Sequence, residues 1–175
     1  MLEKYFKNAS EKFAKPFVFV LAKFRIKPNT VSILGLIIVL LGSYFFYVDN
    51  KFLGIILIFL GSAVDGLDGP YARHQNLVSE RGAVLDSFID RLGELFIWSV
   101  VAIGFTSNDI ELFIVLSILV ASNLIPYIRA KSESYGITNK AGITARPERV
   151  IFAVIFMFFD LDYVFLNNYH LKHFE

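Results

Sequence analysis

A stretch of nineteen residues without a charge, TVSILGLIIVLLGSYFFYV at 30–48, limits what this chain can become. In hydrocarbon every backbone N–H and C=O must be satisfied within the protein, and roughly 20 apolar residues are needed to cross, so such a run predicts a membrane-spanning helix. Similar runs follow. Span two is expected over about 52–73, and span three begins near Arg81 and becomes fully apolar after Glu94. Span four is expected near 110–132, and span five ends near Phe159. A mean hydropathy of +0.57 with 55% hydrophobic residues fits an all-α integral membrane protein and exceeds what a soluble domain of this length needs for its core.

The first 26 residues read differently. Leu2, Tyr5, Phe6, Ala9 and Phe13 recur at helical spacing opposite Lys4, Lys7, Glu11 and Lys12, which predicts an amphipathic helix lying in the interface. Residues 17–24 are too short to cross and are expected to continue it. Asn29 or Thr30 is predicted to cap span one. No short apolar run with small residues follows the basic N-terminus, so a cleaved signal peptide is not expected. At the other end, Asp160, Asp162, His170, Lys172 and His173 prevent the last sixteen residues from spanning as written. The expected architecture is therefore a single membrane domain over 1–175, with five to six transmembrane helices and a sixth span missing or truncated.

Charge placement supplies an orientation. Seven basic residues precede span one, Arg73 and Arg81 flank the connection between spans two and three, and Arg129, Lys131, Lys140, Arg146 and Arg149 follow span four. Among the opposite connections there is only Lys51. The positive-inside rule then predicts that the N-terminus and both polar loops face the cytoplasm, across the cytoplasmic membrane. A net charge of +1 gives no field for nucleic acid, and the absence of cysteine excludes disulfides, thiolate zinc sites and a catalytic thiol.

The polar residues of interest lie in DGLDGPYARHQNLVSERGAVLDSFID, 65–90. Asp65 and Asp68 are three apart at the end of one predicted helix, and Asp86 and Asp90 are four apart at the start of the next, so each pair shares a helical face. Four carboxylates at membrane depth require a cation, since a charge at the bilayer centre costs on the order of 3 kcal/mol on insertion scales. An all-oxygen set favours magnesium, with manganese or calcium after it, and resembles a two-metal arrangement that clamps a phosphate. Gly69 and Gly82 leave room for a substrate against the backbone, and Arg73 offers a bidentate phosphate partner. A cation transporter with an acidic ion site is the alternative of another class, although no inverted repeat or paired broken helices accompany it.

Written as a pattern, these residues are D-x2-D-G-x2-A-R-x8-G-x3-D-x3-D, met by Asp65, Asp68, Gly69, Ala72, Arg73, Gly82, Asp86 and Asp90. This resembles the signature of the CDP-alcohol phosphotransferases, and KPNTVS at 27–32, the interfacial helix and the span order fit the same family. The resemblance implies a magnesium-dependent enzyme that displaces CMP from a CDP-linked lipid with an acceptor hydroxyl. It implies two ions on Asp65, Asp68, Asp86 and Asp90, with manganese as a substitute, Asp90 doubling as general base, and Gly69, Ala72, Arg73 and Gly82 holding the CDP moiety. YIRAKSESYG (127–136) and ARPERV (145–150) resemble segments of phosphatidylinositol phosphate synthases and their archaeal counterparts. That likeness implies that Arg129, Lys131 and Arg146 trap the phosphate of inositol phosphate. The expected reaction is thus transfer of a phosphatidyl-type group to inositol phosphate in phospholipid biosynthesis. Glycerol phosphate, serine, or CDP-inositol plus inositol phosphate are the alternatives with the same chemistry. A homodimer is expected from the family alone, because no small-residue stripe in the spans marks an interface.

Overall fold

The computed structural model of the chain describes residues 14–106, 108–137 and 148–159. Among these residues the regular structure is all helical, with no strand. Residues 14–23 form α1, followed by α2 (Pro28–Tyr47), α3 (Lys51–Asp65), α4 (Asp68–His74), α5 (Glu80–Phe105), α6 (Asp109–Ser134) and α7, residues 148–159. Among the described residues three stretches are long and apolar enough to cross a membrane: Pro28–Tyr47, Lys51–His74 and Asp109–Ser134. Helix α5 has 26 residues, or about 39 Å at ~1.5 Å per residue. Its first half is too charged to read as a span by hydropathy, with Glu80, Arg81, Asp86, Asp90, Arg91 and Glu94. Residues 1–13 of the expected interfacial helix and the 160–175 segment lie outside the described residues.

Helix ends follow local chemistry. Ser79 caps α5 by accepting from the Gly82 N–H at 3.1 Å, and the Asn108 side chain caps α6 by accepting from Ile110 N–H and Glu111 N–H at 3.1 and 3.0 Å. At α2 the cap position is Lys27 with Pro28 in the first turn, so Asn29 and Thr30 sit inside the helix instead of capping it. Helices α1, α2, α4 and α6 all close with a residue in the left-handed region: Arg25, Asp49, Asn76 and Gly136. In each, the next N–H donates to the carbonyl five residues back, as in Leu77 N–H to Ala72 O at 2.9 Å.

Helices α2 and α3 form a tight antiparallel hairpin, and glycine decides its spacing. Gly35 and Gly42 on α2 lie seven apart, as do Gly54 and Gly61 on α3. A Cβ on Gly42 would stand 2.7 Å from Gly54 O, one on Gly54 2.8 Å from Gly42 O, and one on Gly61 2.7 Å from Gly35 O. At the far end a Cβ on Gly35 would meet the Cβ and the backbone nitrogen of Asp65, each at 2.7 Å. The two backbones are therefore in contact along their length, as small residues permit where lipid provides no hydrophobic drive between helices. So a small-residue stripe does exist in these spans, within the protomer.

Around this hairpin Val39, Phe46, Ile55 and Ile58 pack on Ile97, Trp98 and Val101 of α5 and on Val150, Val154 and Met157 of α7. A second cluster joins α1 to the other end: Ala14 and Val18 pack with Val31 and Tyr71, and the Tyr71 hydroxyl donates to Ile26 O at 2.5 Å. Large apolar side chains elsewhere point outward, as on a surface solvated by lipid: Phe113, Val120 and Leu124 on α6 are all exposed.

Because the Gly61 contact is with backbone, nothing flexible can yield. Gly61→Val is expected to lose about 1–3 kcal/mol of stability through overpacking, seen as a lower unfolding temperature in detergent and loss of activity together. Ala63→Val, on the exposed side of the same helix, should leave both unchanged.

Candidate active site

The four aspartates reach the site from two directions. Asp65 is the last residue of α3 and Asp68 the first of α4, with Gly66 and Leu67 forming a tight break between them. The two residues therefore do not share one continuous helix, as the three-residue spacing suggests. Across this break both carboxylates meet Asp86 of α5: ligand oxygens of Asp65, Asp68 and Asp86 lie within 4.8 Å of one another. Asp90 follows one turn along α5 and stands outside this triplet, half-buried.

At 4.8 Å, two carboxylates repel by about 3 kcal/mol at an effective dielectric constant of ~20, so three together are held at considerable cost unless a cation joins them. Asp65 is 2% exposed and Asp68 9%, which leaves little water to screen the pair. The donor set is oxygen only, without histidine or cysteine, and matches a hard divalent cation.

Ser32 backs the carboxylate triplet. It is buried on α2, and its hydroxyl donates to Asp68 Oδ2. This bond fixes the carboxylate's rotamer and uses one of its lone pairs, leaving the remaining oxygen capacity to point at the cluster. Ser32 stands outside the aspartate pattern, and its signal in the sequence is a hydroxyl one turn after Pro28, where the apolar run of α2 begins.

Next to the triplet opens a cleft of about 220 Å³. Its walls include Gly69, Ala72, Arg73 and Gly82, the four residues expected to hold a CDP moiety, and it runs onto Asp68 and Asp86. Pro28, Asn29 and Ser79 complete one side. Asn29 thus lines the cleft, and its Oδ1 lies 3.3 Å from where a Gly82 Cβ would be. A side chain at Gly82 would also crowd Ser79 Oγ at 3.0 Å, and one at Gly69 would meet the Arg73 guanidinium at 3.3 Å. The glycines keep the cleft open to a ligand.

The other basic candidates stand apart from this cleft. Arg129 and Lys131 are exposed on the last turns of α6, where the Lys131 ammonium lies 4.9 Å from the Tyr135 ring centre. Arg146 lies outside the described residues.

Comparison with known proteins agrees with this geometry. A family model described as CDP-alcohol phosphatidyltransferase matches residues 25–171. The chain belongs to that family. It is a transferase of phospholipid biosynthesis. Over 141 residues it is 37% identical to the archaetidylinositol phosphate synthase of Pyrococcus horikoshii, covering 80% of this chain and 73% of that one. Two crystal structures of the phosphatidylinositol phosphate synthase of Mycobacterium tuberculosis resemble the fold, each with a TM-score of 0.70 and 29% identity. The one with CDP-DAG bound covers 82% of this chain and 74% of its own, and the one in complex with manganese and citrate covers 81% and 70%. A family member thus takes up a divalent metal, as the carboxylate triplet here is suited to do.

If Ser32 orients Asp68, Ser32→Ala should weaken Mn2+ binding by about 10-fold or more, the usual scale for losing a group that orients a metal ligand. Titration of the purified protein with Mn2+, read by the paramagnetic signal of free metal, measures this. Thr30→Ala, in the same turn, serves as the control.

Proposed function

We propose that the chain transfers a phosphatidyl-type group from a CDP-linked lipid to the hydroxyl of inositol phosphate, releasing CMP. The observation that carries this reading is the cleft in which Gly69, Ala72, Arg73 and Gly82 run directly onto Asp68 and Asp86. A nucleotide diphosphate laid there would have its phosphates at the carboxylate triplet. The acceptor is supported by the relatives' own activities, named as archaetidylinositol phosphate and phosphatidylinositol phosphate synthesis, and by the basic YIRAKSES and ARPERV segments.

In this reading Asp65, Asp68, Asp86 and Asp90 hold two divalent ions, magnesium by preference. Ions held there would supply the positive charge that offsets the pyrophosphate and the charge developing on the leaving CMP. The chain's own groups do the rest. Arg73 pairs with donor phosphate, and the small residues at 69, 72 and 82 let the CDP moiety lie against backbone. Asp90 takes the acceptor's hydroxyl proton as the oxygen attacks the lipid-linked phosphorus. The new P–O bond forms to the acceptor, and the P–O bond to CMP breaks with its electron pair. Arg129, Lys131 and Arg146 hold the acceptor's phosphate, three cations on one dianion.

The same reading places the protein as a single domain in the cytoplasmic membrane, as a homodimer of five to six spans, with the active site facing the cytoplasm. Helix α1 would lie in the interface. Phe17, Phe19 and Phe24 are 58%, 72% and 68% exposed, beside Lys15 and Lys23, while Ala14 and Val18 pack on the bundle.

Purified protein with Mg2+, CDP-diacylglycerol or CDP-archaeol, and inositol phosphate should release CMP. Turnover of glycerol phosphate or serine with inositol phosphate inert would move the acceptor assignment and leave the class intact. Cation flux in liposomes that depends on Asp86, without CMP, would overturn the enzyme. Asp90→Asn should lose at least ~100-fold in kcat, the lower range for a general base, while binding of the CDP-lipid persists. Arg129→Gln should raise the KM for inositol phosphate and spare that of the donor.

A further inference from the structure

One turn beyond Asp90, α5 carries a polar group for which the reaction above has no use. Glu94 is 1% exposed. Two guanidinium groups meet it there. Arg149 of α7 donates from Nε and Nη2 to Glu94 Oε1 at 3.2 and 2.6 Å, and Arg91 Nη1 donates to Oε2 at 3.4 Å.

Arg91 has a further task. The same Nη1 donates to the backbone carbonyl of Ser122, on α6, at 3.2 Å. That carbonyl is available because of Pro126. In a helix the carbonyl of residue 122 is met by the N–H of residue 126, and proline has none. Ser122 is 2% exposed, so water cannot serve in its place, and a buried carbonyl without a donor is costly. Pro126 thus opens an acceptor on α6, Arg91 fills it from α5, Glu94 fixes Arg91, and Arg149 brings α7 to the same point. Three helices are joined at one polar node, one turn from Asp90. Beyond Pro126, α6 runs on to Arg129 and Lys131.

We propose that Arg91, Glu94, Arg149 and Pro126 form a positioning joint that sets where the basic end of α6 stands relative to Asp86 and Asp90, and so governs the acceptor's binding and not the donor's. The link to the acceptor rests on the reading of Arg129 and Lys131 given above; the joint itself rests on the contacts. These are positioning residues, acting through the side chains that follow them. A purely structural ion pair would behave otherwise, because its loss would lower protein yield, kcat and both KM values together.

The chain has no cysteine, so two labels can be placed without background. Ser87→Cys on α5 and Ser134→Cys on α6 are both at exposed positions and take nitroxide labels. In nanodiscs with Mg2+, the otherwise unaltered protein should give one narrow distance distribution by pulsed electron resonance. Pro126→Ala, which returns the missing N–H, and Glu94→Gln should each broaden or shift it. In steady state with CDP-diacylglycerol saturating, both should raise the KM for inositol phosphate by at least ~10-fold, as small misplacements of positioned groups do, with donor KM unchanged within about twofold. If Arg91 acts through the Ser122 carbonyl, Arg91→Gln should add little to Pro126→Ala. Should Glu94→Gln fail to fold, Pro126→Ala alone decides, since it restores a hydrogen bond and leaves the ion group intact. An unchanged distance distribution, or acceptor and donor KM rising together, would overturn the joint. A parent protein that ignores inositol phosphate would instead overturn the acceptor reading, while the distance measurement still judges the joint.

Discussion

The contact between the backbones of α2 and α3 is what the rest of the molecule depends on. Four glycines let the hairpin close until carbonyl and Cα surfaces touch, and the last contact of the series is Gly35 against Asp65 itself. A carboxylate buried at the end of a membrane helix is costly to hold in place, and here helix packing sets where its backbone stands. The same hairpin carries Ser32 to Asp68 and presents Pro28 and Asn29 to the cleft. Glycine seam, carboxylate triplet and cleft are consecutive parts of one hairpin and the helices it seats.

Much of the site was legible in the residues. The spacing of Asp65, Asp68, Asp86 and Asp90 with Gly69, Ala72, Arg73 and Gly82 led to the family before any coordinates, and the cleft brings those four small or basic residues onto two of the aspartates. Spacing could not reveal the break at Gly66 and Leu67. What marks it is Pro70, which has no N–H to offer the Gly66 carbonyl four residues back, so the ladder is interrupted where the dihedrals are still near-helical, −62°, −6° at Gly66 and −86°, −19° at Leu67. Nor could spacing separate Asp90 from the triplet, because four residues along a helix share a face but differ by a full turn in height.

Other features were present in the sequence and unreadable without partners. The heptad spacing of Gly35 with Gly42, and of Gly54 with Gly61, has meaning only once the two helices are known to be neighbours. The carbonyl that Pro126 leaves without a helical donor is predictable from one residue, whereas the guanidinium that answers it, 31 positions away in sequence, is not. Helix α5 shows the opposite limit. Its charges hide it from a hydropathy criterion, although they are the residues for which the helix exists.

The cleft walls come from α2, α4 and α5 and from the segment that joins α4 to α5, while the cations proposed for the acceptor stand on α6 and just ahead of α7. On the proposed reading, substitutions on α6 and beyond would exchange one alcohol for another without disturbing the cleft. Such a division of labour along the polypeptide would let a common activated lipid feed many headgroups, with new products arising by change in one half while the other stays fixed.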